Sequence, residues 1–479
     1  MHPNQGSLSQ MMIKLALLLI TLLSFLVHGY NFATGDQSTY VPQVLKRVNP
    51  NLYTKDYLSQ TAEGDLSFMF PLMAGVLKTT GIDIEWLYFF LYLFFRWLVI
   101  VALYKLGLSL TGGKKAALVA TIILSLPKFV GGTNNPTLDS AWIPRFFVLP
   151  LLLWGLDCLV HRRYLLATFL TGITFTLHPY SGVYLGLFLF ACFLTSGRFW
   201  SLIPKAILIA VIASGWFVIS LIPAYLSRSS QLFMDHVWFD IVSVRLPYNL
   251  ISNWGLGALI ALILPLLGYL VFPHRLLRLS LITAAIITLI HVVFGEIFKV
   301  ALIFQLQLPR IWLIPTYMGY IGLSFWLVKI WSRSLLTKLI VILVAVVLLT
   351  NFGRFSPGSI DWPHHYQREW DKLQVWVRHN TPEDALLITP ATRIGFRIRS
   401  ERSIVAEIKD GSSGLYSPSL ARNWQERVSD LGLINIKTAA EIEFLQQKYH
   451  ADYLVTFSNA RYPQFQPVFN TESFIVYKL

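Results

Sequence analysis

The sequence predicts an all-α polytopic membrane bundle, about eleven transmembrane helices on a hydropathy reading, with a small C-terminal extracytoplasmic α/β domain. Three observations carry this. Mean hydropathy is +0.56, with 55% hydrophobic and 13% charged residues, whereas soluble domains carry about 25% charge. Apolar runs recur as far as Asn351, and roughly twenty helical residues cross a bilayer. These runs do not alternate with period two, so helices rather than a closed barrel satisfy the backbone.

The first span ends near His28 and is taken as an uncleaved anchor, because no small-x-small cleavage site follows it. A polar outer loop covers 29–85, with an amphipathic piece, Leu66–Leu77, suited to the membrane surface. Further spans are expected at Trp86–Leu106, Ala116–Val130, Ile143–Leu159, Tyr164–Leu177, Gly182–Leu194, Ala206–Tyr225, Leu256–Val271, Ser280–Ile297, Ile311–Val328 and Leu335–Leu349. The membrane domain so defined is 1–352, and 353–479 forms the second domain.

Charge tests this order. Of 39 basic and 25 acidic residues, 15 and 14 lie from Phe352 onward, leaving 24 and 11 in the membrane part. The excess falls in short alternate loops: Lys105, Lys114 and Lys115; Arg162 and Arg163; Arg198 and Lys205; Arg275 and Arg278; Lys329, Arg333 and Lys338. Basic loops stay cytoplasmic. A multi-pass protein of the plasma (inner) membrane is therefore expected, N-terminus inside and tail outside. The net charge of +14 marks topology and does not imply a nucleic-acid partner. Cys158 and Cys192 lie in apolar helices and imply neither a disulfide nor a metal site.

The tail opens with the linker Gly353-Arg-Phe-Ser-Pro-Gly358. Helices are expected at Tyr366–Arg378 and Ala439–Tyr449, and strands at Ala385–Thr389, Ser403–Glu407, Tyr453–Phe457 and Phe474–Tyr477. Arg393, Arg397, Arg399 and Arg402 suit one solvated face of an alternating strand. A sharper reading is a docking surface for anionic lipid headgroups.

A charge at mid-bilayer costs about 2.5–3.5 kcal/mol on insertion scales, so those retained usually have a task. At the outer side stand Asp36, Asp56, Glu63 and Asp65, then Asp139 in Asn134-Asn-Pro-Thr-Leu-Asp, and His178 in Leu177-His-Pro-Tyr. Carboxylates and imidazole supply base and acid, and Arg145 and Arg310 could stabilise a phosphate leaving group. Each also has a structural reading. Asp36 could cap a helix beginning near Thr39. Asp139 could be a solvated loop residue, and His178-Pro179 could simply end a helix. Asp56 and Glu63 suit the surface, and Arg145 and Arg310 could snorkel to lipid phosphates. Arg96, near the middle of its span, should face the bundle or a wet cavity.

With these residues in view, the chain resembles the GT-C superfamily of integral-membrane glycosyltransferases, particularly the bacterial dolichyl-phosphate-mannose-protein-mannosyltransferase-like and aminoarabinose-transferase-like branch. The likeness covers the first half. It rests on one span followed by Gly35-Asp36-Gln37-Ser38-Thr39-Tyr40, then Phe68-Met-Phe-Pro-Leu-Met73. It continues in Thr137-Leu-Asp-Ser-Ala141 and Leu170-Thr-Gly-Ile-Thr-Phe-Thr-Leu-His-Pro179. The resemblance implies Asp36 as general base, Asp139 as a second acidic site residue, and a polyprenyl-phosphate sugar donor. It also implies inversion at the anomeric carbon and an extracytoplasmic acceptor: lipid, polysaccharide or protein. Charge and position add His178, Arg96, Arg145, Arg310 and Asp56 as substrate-binding candidates. The family often pairs two acidic residues where this chain has Asp36-Gln37, which leaves a divalent metal open and no cofactor specified. Two other classes are kept: a transporter or flippase of lipid-linked saccharide, and a non-catalytic membrane assembly scaffold.

Overall fold

A computed structural model describes residues 5–60, 67–221, 231–331, 334–350, 359–432 and 437–479. Glu63, Asp65 and the linker Gly353–Gly358 lie outside them. The chain forms two compact units, each assembled from separated segments. One comprises Met1–Tyr30, Tyr88–Ile219 and Tyr248–Asp361; the other comprises Asn31–Leu87, Ser220–Pro247 and Trp362–Leu479.

The first unit is helical. Among the described residues, four helices are long and apolar enough to cross a membrane: Gln10–His28, Ile84–Thr111, Arg275–Ile297 and Leu308–Trp331, of 19, 28, 23 and 24 residues. Shorter apolar helices cover Tyr164–Leu177, Pro179–Leu194, Phe199–Ala213 and Leu256–Val271. Large apolar side chains stand exposed along the spans, among them Leu15, Leu19 and Leu23 on the first and Ile282, Ile286 and Leu289 on another. Their spacing of three or four residues marks a lipid-facing stripe, the surface a bilayer covers at no desolvation cost. The chain is a membrane protein.

In a bilayer, helix association rests on close packing, and small residues permit it. The Leu256–Val271 and Leu313–Trp331 helices meet in this way. A Cβ on Gly268 would stand 1.8 Å from the Gly319 carbonyl oxygen, and one on Gly319 would stand 2.3 Å from that of Pro265. Tyr269 locks the contact by donating to the Pro315 carbonyl at 2.9 Å.

The second unit carries a five-stranded sheet: β1 Leu386–Ile388, β2 Ser403–Ile404, β3 Tyr453–Phe457, β4 Gln466–Asn470 and β5 Phe474–Lys478. Its order is β2-β1-β3-β5-β4, with β1 parallel to β2 and β3, and β5 antiparallel to β3 and β4. The Glu369–Asn380 helix sets Leu373 and Val377 against Leu387, Val455 and Val476. Among the elements not expected are two in this unit. β4 contains Pro467 and sits at the edge, where proline is tolerated. The Pro418–Leu431 helix starts on a proline and buries Ala421, Trp424, Val428 and Leu431.

The arginine-rich segment corrects the sequence reading. It forms a short helix, Phe396–Ser400, not a strand. Arg397, Arg399 and Arg402 are buried, not solvated. The cause is partners distant in sequence. Arg397 binds Asp56 at 2.8 Å and both Asp410 oxygens at 2.9 and 2.7 Å, while Arg399 binds Glu85 at 2.9 Å and Asp371 at 2.8 Å. Arg402 donates to the Arg378 and Thr381 carbonyls, each at 2.7 Å.

Three buried carboxyls, Asp56, Glu407 and Asp410, thus surround the Arg397 guanidinium. One positive charge cannot balance three negatives in a dry site. Glu407 is pushed up to about 8 by burial, with Asp410 adding to the rise and Arg397 opposing it. Burial likewise raises Asp410.

Folded Glu407 keeps its proton to about pH 8, whereas the unfolded chain releases it near 4.5. Its stabilising contribution is therefore present below pH 4.5 and lost as pH rises through 8. The unfolding free energy of the chain, measured across this window, should fall as pH rises, and Glu407→Gln should flatten the dependence. In the first unit, Gly319→Val should lower thermal stability by at least about 1–3 kcal/mol, the usual cost of overpacking, read by melting in detergent.

Candidate functional site

In the membrane unit, the segment after the Lys114–Leu124 helix folds back on itself. Val130 N–H donates to Asn135 at 3.0 Å and Thr137 N–H to Lys128 at 2.7 Å. Tyr317 donates to the Thr137 carbonyl and pins the turn to the Leu313–Trp331 helix. Asp139 follows, and Pro144 at the first position of the next helix places Arg145 in its opening turn. Proline suits that position because its missing N–H has no helical partner there.

Arg145 grips Asp139 in a fork: Nη2 to Oδ1 at 2.6 Å and Nε to Oδ2 at 3.0 Å, while Nη1 donates to Asn135 Oδ1 at 3.0 Å. His178 lies between two helices. It ends Tyr164–Leu177 and caps Pro179–Leu194, its Nδ1 accepting from Ser181 N–H at 3.3 Å. In the neutral ring this leaves the proton on Nε2. Helix termination and site placement therefore coincide in one residue. Arg310 stands in the turn Leu308–Trp312, stacked 5.4 Å over Tyr248. Tyr184 holds that turn by donating to the Gln307 carbonyl at 3.1 Å.

Asp139, Arg145, His178 and Arg310 line one narrow cavity with Asn135, Ser181 and Tyr184. Its volume is about 30 Å³, near that of a single water, because the Asp139–Arg145 pair occupies the space. An anionic ligand entering it would have to draw Arg145 off Asp139.

Arg96 is fully buried and faces the bundle, but its guanidinium is outside that cavity. It donates to the Ser24 carbonyl at 3.0 Å, Ser24 Oγ at 2.6 Å and the Asp139 carbonyl at 2.8 Å, and to Tyr92 Oη. It also stacks 4.8 Å over the Tyr92 ring. Arg96 positions the Asp139 backbone.

Asp36 and Asp56 belong to the other unit. Asp56 is fully buried, not on the surface: besides Arg397 it accepts from the backbone N–H groups of Leu58 and Ile404, both at 2.8 Å. Asp36 occupies the N-cap position of the Gln37–Val48 helix but makes no side-chain cap bond. Its carboxylate pairs with Lys409 Nζ at 2.5 Å. The turn before it is tight, with Ala33 and Gly35 at φ +62° and +56°, and non-glycine residues held there cluster at functional sites. Gln37 is buried, and its Oε1 accepts from Ala33 N–H at 2.9 Å.

Asn135, Tyr184 and Lys409 escaped sequence reasoning. Asn135 lay inside the quoted motif Asn134–Asp139 but was given no role there, and Lys409 carries no signal linking it to position 36. Among the described residues no group of three or more His, Cys, Asp or Glu side chains is placed to hold a metal ion.

Comparison with known proteins adds little. A family model described as a domain of unknown function (DUF6798) matches residues 368–431. No curated protein matches the chain. Among solved structures, the Archaeoglobus fulgidus oligosaccharyltransferase in its apo form aligns at 12% identity and TM-score 0.48, over 92% of this chain and 69% of that one. A second structure, the archaeal oligosaccharyltransferase AglB from the same organism with an inhibitory peptide and a dolichol-phosphate, aligns at 12% and 0.46 over the same shares.

Replacing Arg96 by Met should strand acceptors at Ser24 and Asp139, costing about 1–3 kcal/mol for each. Melting of the purified variant in detergent measures the loss, and Arg96→Lys, lacking the planar fork, should recover only part of it.

Proposed function

We propose that this chain is a GT-C-type membrane glycosyltransferase that moves a sugar from a polyprenyl-phosphate donor to an extracytoplasmic acceptor. The observation that carries it is the convergence of Asp139, Arg145, His178 and Arg310 on one cavity of the membrane unit. Two guanidiniums and an imidazole Nε2–H form a donor set suited to phosphate oxygens. A lipid-linked substrate fits a site carried by membrane-spanning helices. The resemblance drawn on Asp36 and Asp139 points to the same chemistry.

In the proposed reaction Asp36 takes the proton of the acceptor hydroxyl. The freed oxygen forms a bond to the anomeric carbon from the face opposite the phosphate, and the carbon–oxygen bond to the phosphate breaks. Both electrons leave with the lipid phosphate, whose charge Arg145 and Arg310 stabilise. Asp139 holds Arg145 until the donor arrives and receives it back when the lipid departs. Lys409, paired with Asp36 at 2.5 Å, holds the carboxylate in place. In this reading the membrane is the plasma membrane, the N-terminus is cytoplasmic and the Asp36 unit extracytoplasmic. The bundle takes its helices from within 1–352, and Trp362–Leu479 builds most of the second unit, joined there by Asn31–Leu87 and Ser220–Pro247. A transport reading leans on Arg96, yet that guanidinium is committed to Ser24, Tyr92 and Asp139 oxygens.

Asp36→Asn should leave donor binding intact and lower transfer by about 10²–10⁴, the range of general-base contributions. Arg145→Ala and Arg310→Ala should instead weaken binding of a polyprenyl phosphate, more steeply at low salt. Unimpaired transfer by Asp36→Asn would remove the assigned base.

A further inference from the structure

The second unit contains a cleft of about 390 Å³, within the range of small-molecule sites. Thr34, Trp370, Thr392, Arg393, Ser473 and Phe474 line it. Thr34 is two residues from Asp36, in the same tight turn. Gly395 presses on that turn: a Cβ there would stand 2.3 Å from the Ala33 carbonyl oxygen. The wall carrying Thr392 and Arg393 is thus fixed against the segment that presents Asp36.

The acids and arginines around the cleft are mostly spoken for. Asp371 binds Arg368 at 2.7 Å and Arg399 at 2.8 Å, and Glu369 binds Lys372 at 2.7 Å. Arg393 differs. Its guanidinium lies 5.6 Å over both Phe457 and Phe474, is exposed, and makes no ion pair among the described residues. Aromatic faces hold the guanidinium plane while leaving its in-plane N–H groups available, the geometry for forked binding of a carboxylate. Trp370 is equally fixed, its indole N–H donating to the Ile394 carbonyl at 3.2 Å and its ring packed on Phe396 and Phe474. An aromatic surface, three hydroxyls and one unpaired guanidinium match a ring rich in hydroxyls that bears a carboxylate.

We infer that this cleft binds the acceptor, and that the acceptor is an acidic saccharide. Its carboxylate docks on Arg393 and a ring stacks at Trp370, which brings a neighbouring hydroxyl toward Asp36. This rests on the reading of Asp36 as base but names the acceptor class.

The test is titration calorimetry of the full-length protein in detergent with trigalacturonate, maltotriose and inorganic phosphate, without any donor. Trigalacturonate should bind, and Arg393→Ala, at an exposed position, should weaken it about tenfold or more. Arg393→Lys should be intermediate, and Asp36→Asn should bind as the parent does. Absence of trigalacturonate binding, equal affinity for maltotriose, equal affinity for inorganic phosphate, or an Arg393→Ala variant that binds normally would each overturn the inference. Because no transfer is measured, failure here leaves the Asp36 result standing. Conversely, normal transfer by Asp36→Asn would sink the base without altering these affinities.

Discussion

A charge buried in a membrane bundle must find its partners within the protein, and Arg96 is where this chain meets that demand. Its guanidinium, wholly buried, bonds the backbone of Ser24 on the first span and of Asp139 in the loop after the Lys114–Leu124 helix, and it lies over Tyr92 of its own helix. The loop's own backbone bonds and Tyr317 fix the turn before it, and the Arg96 bond fixes the Asp139 carbonyl. Asp139 stays in place because its carbonyl is bound from behind, and Arg145 is aimed because Asp139 is in place. The cavity shared with His178 and Arg310 is the consequence.

The second unit uses the same device. Arg397 gathers Asp56 from the first outer loop and Asp410 from the tail, with Glu407 alongside. Ser38 hydrogen-bonds Glu407 and Lys409 pairs with Asp36, so the turn that presents the proposed base is stapled at two adjacent points. The excess of carboxyls over guanidinium keeps one proton in the cluster near neutrality. Segments more than three hundred residues apart therefore behave as one element.

Hydropathy and charge made the membrane character legible, because the cost of desolvation is paid residue by residue along the chain. Arg96 was legible for the same reason: a cation in mid-span must face inward. The sequence led us to expect Asp36, Asp56, Asp139 and His178, with nearby arginines, around one outward-facing cavity; Asp139, Arg145, His178 and Arg310 line one cavity, and Asp36 and Asp56 are not among its lining residues. The tail was harder. The spacing of Arg393, Arg397, Arg399 and Arg402 suggested a solvated strand, but the partners that bury them lie 341 residues away at Asp56 and 314 at Glu85. No local period encodes such pairs. Lys409 was invisible for that reason, and the exposed Arg393 could not be told from its buried neighbours.

The central claim is that the membrane unit receives a lipid phosphate and the chain cuts it from its sugar. The direct measurement is reconstitution into sealed vesicles containing a polyprenyl-phosphate sugar labelled in the sugar, with acceptor supplied outside. The account predicts that free polyprenyl phosphate accumulates in step with label on the acceptor. Label that crosses the bilayer still attached to its lipid, with no free polyprenyl phosphate formed, would contradict it.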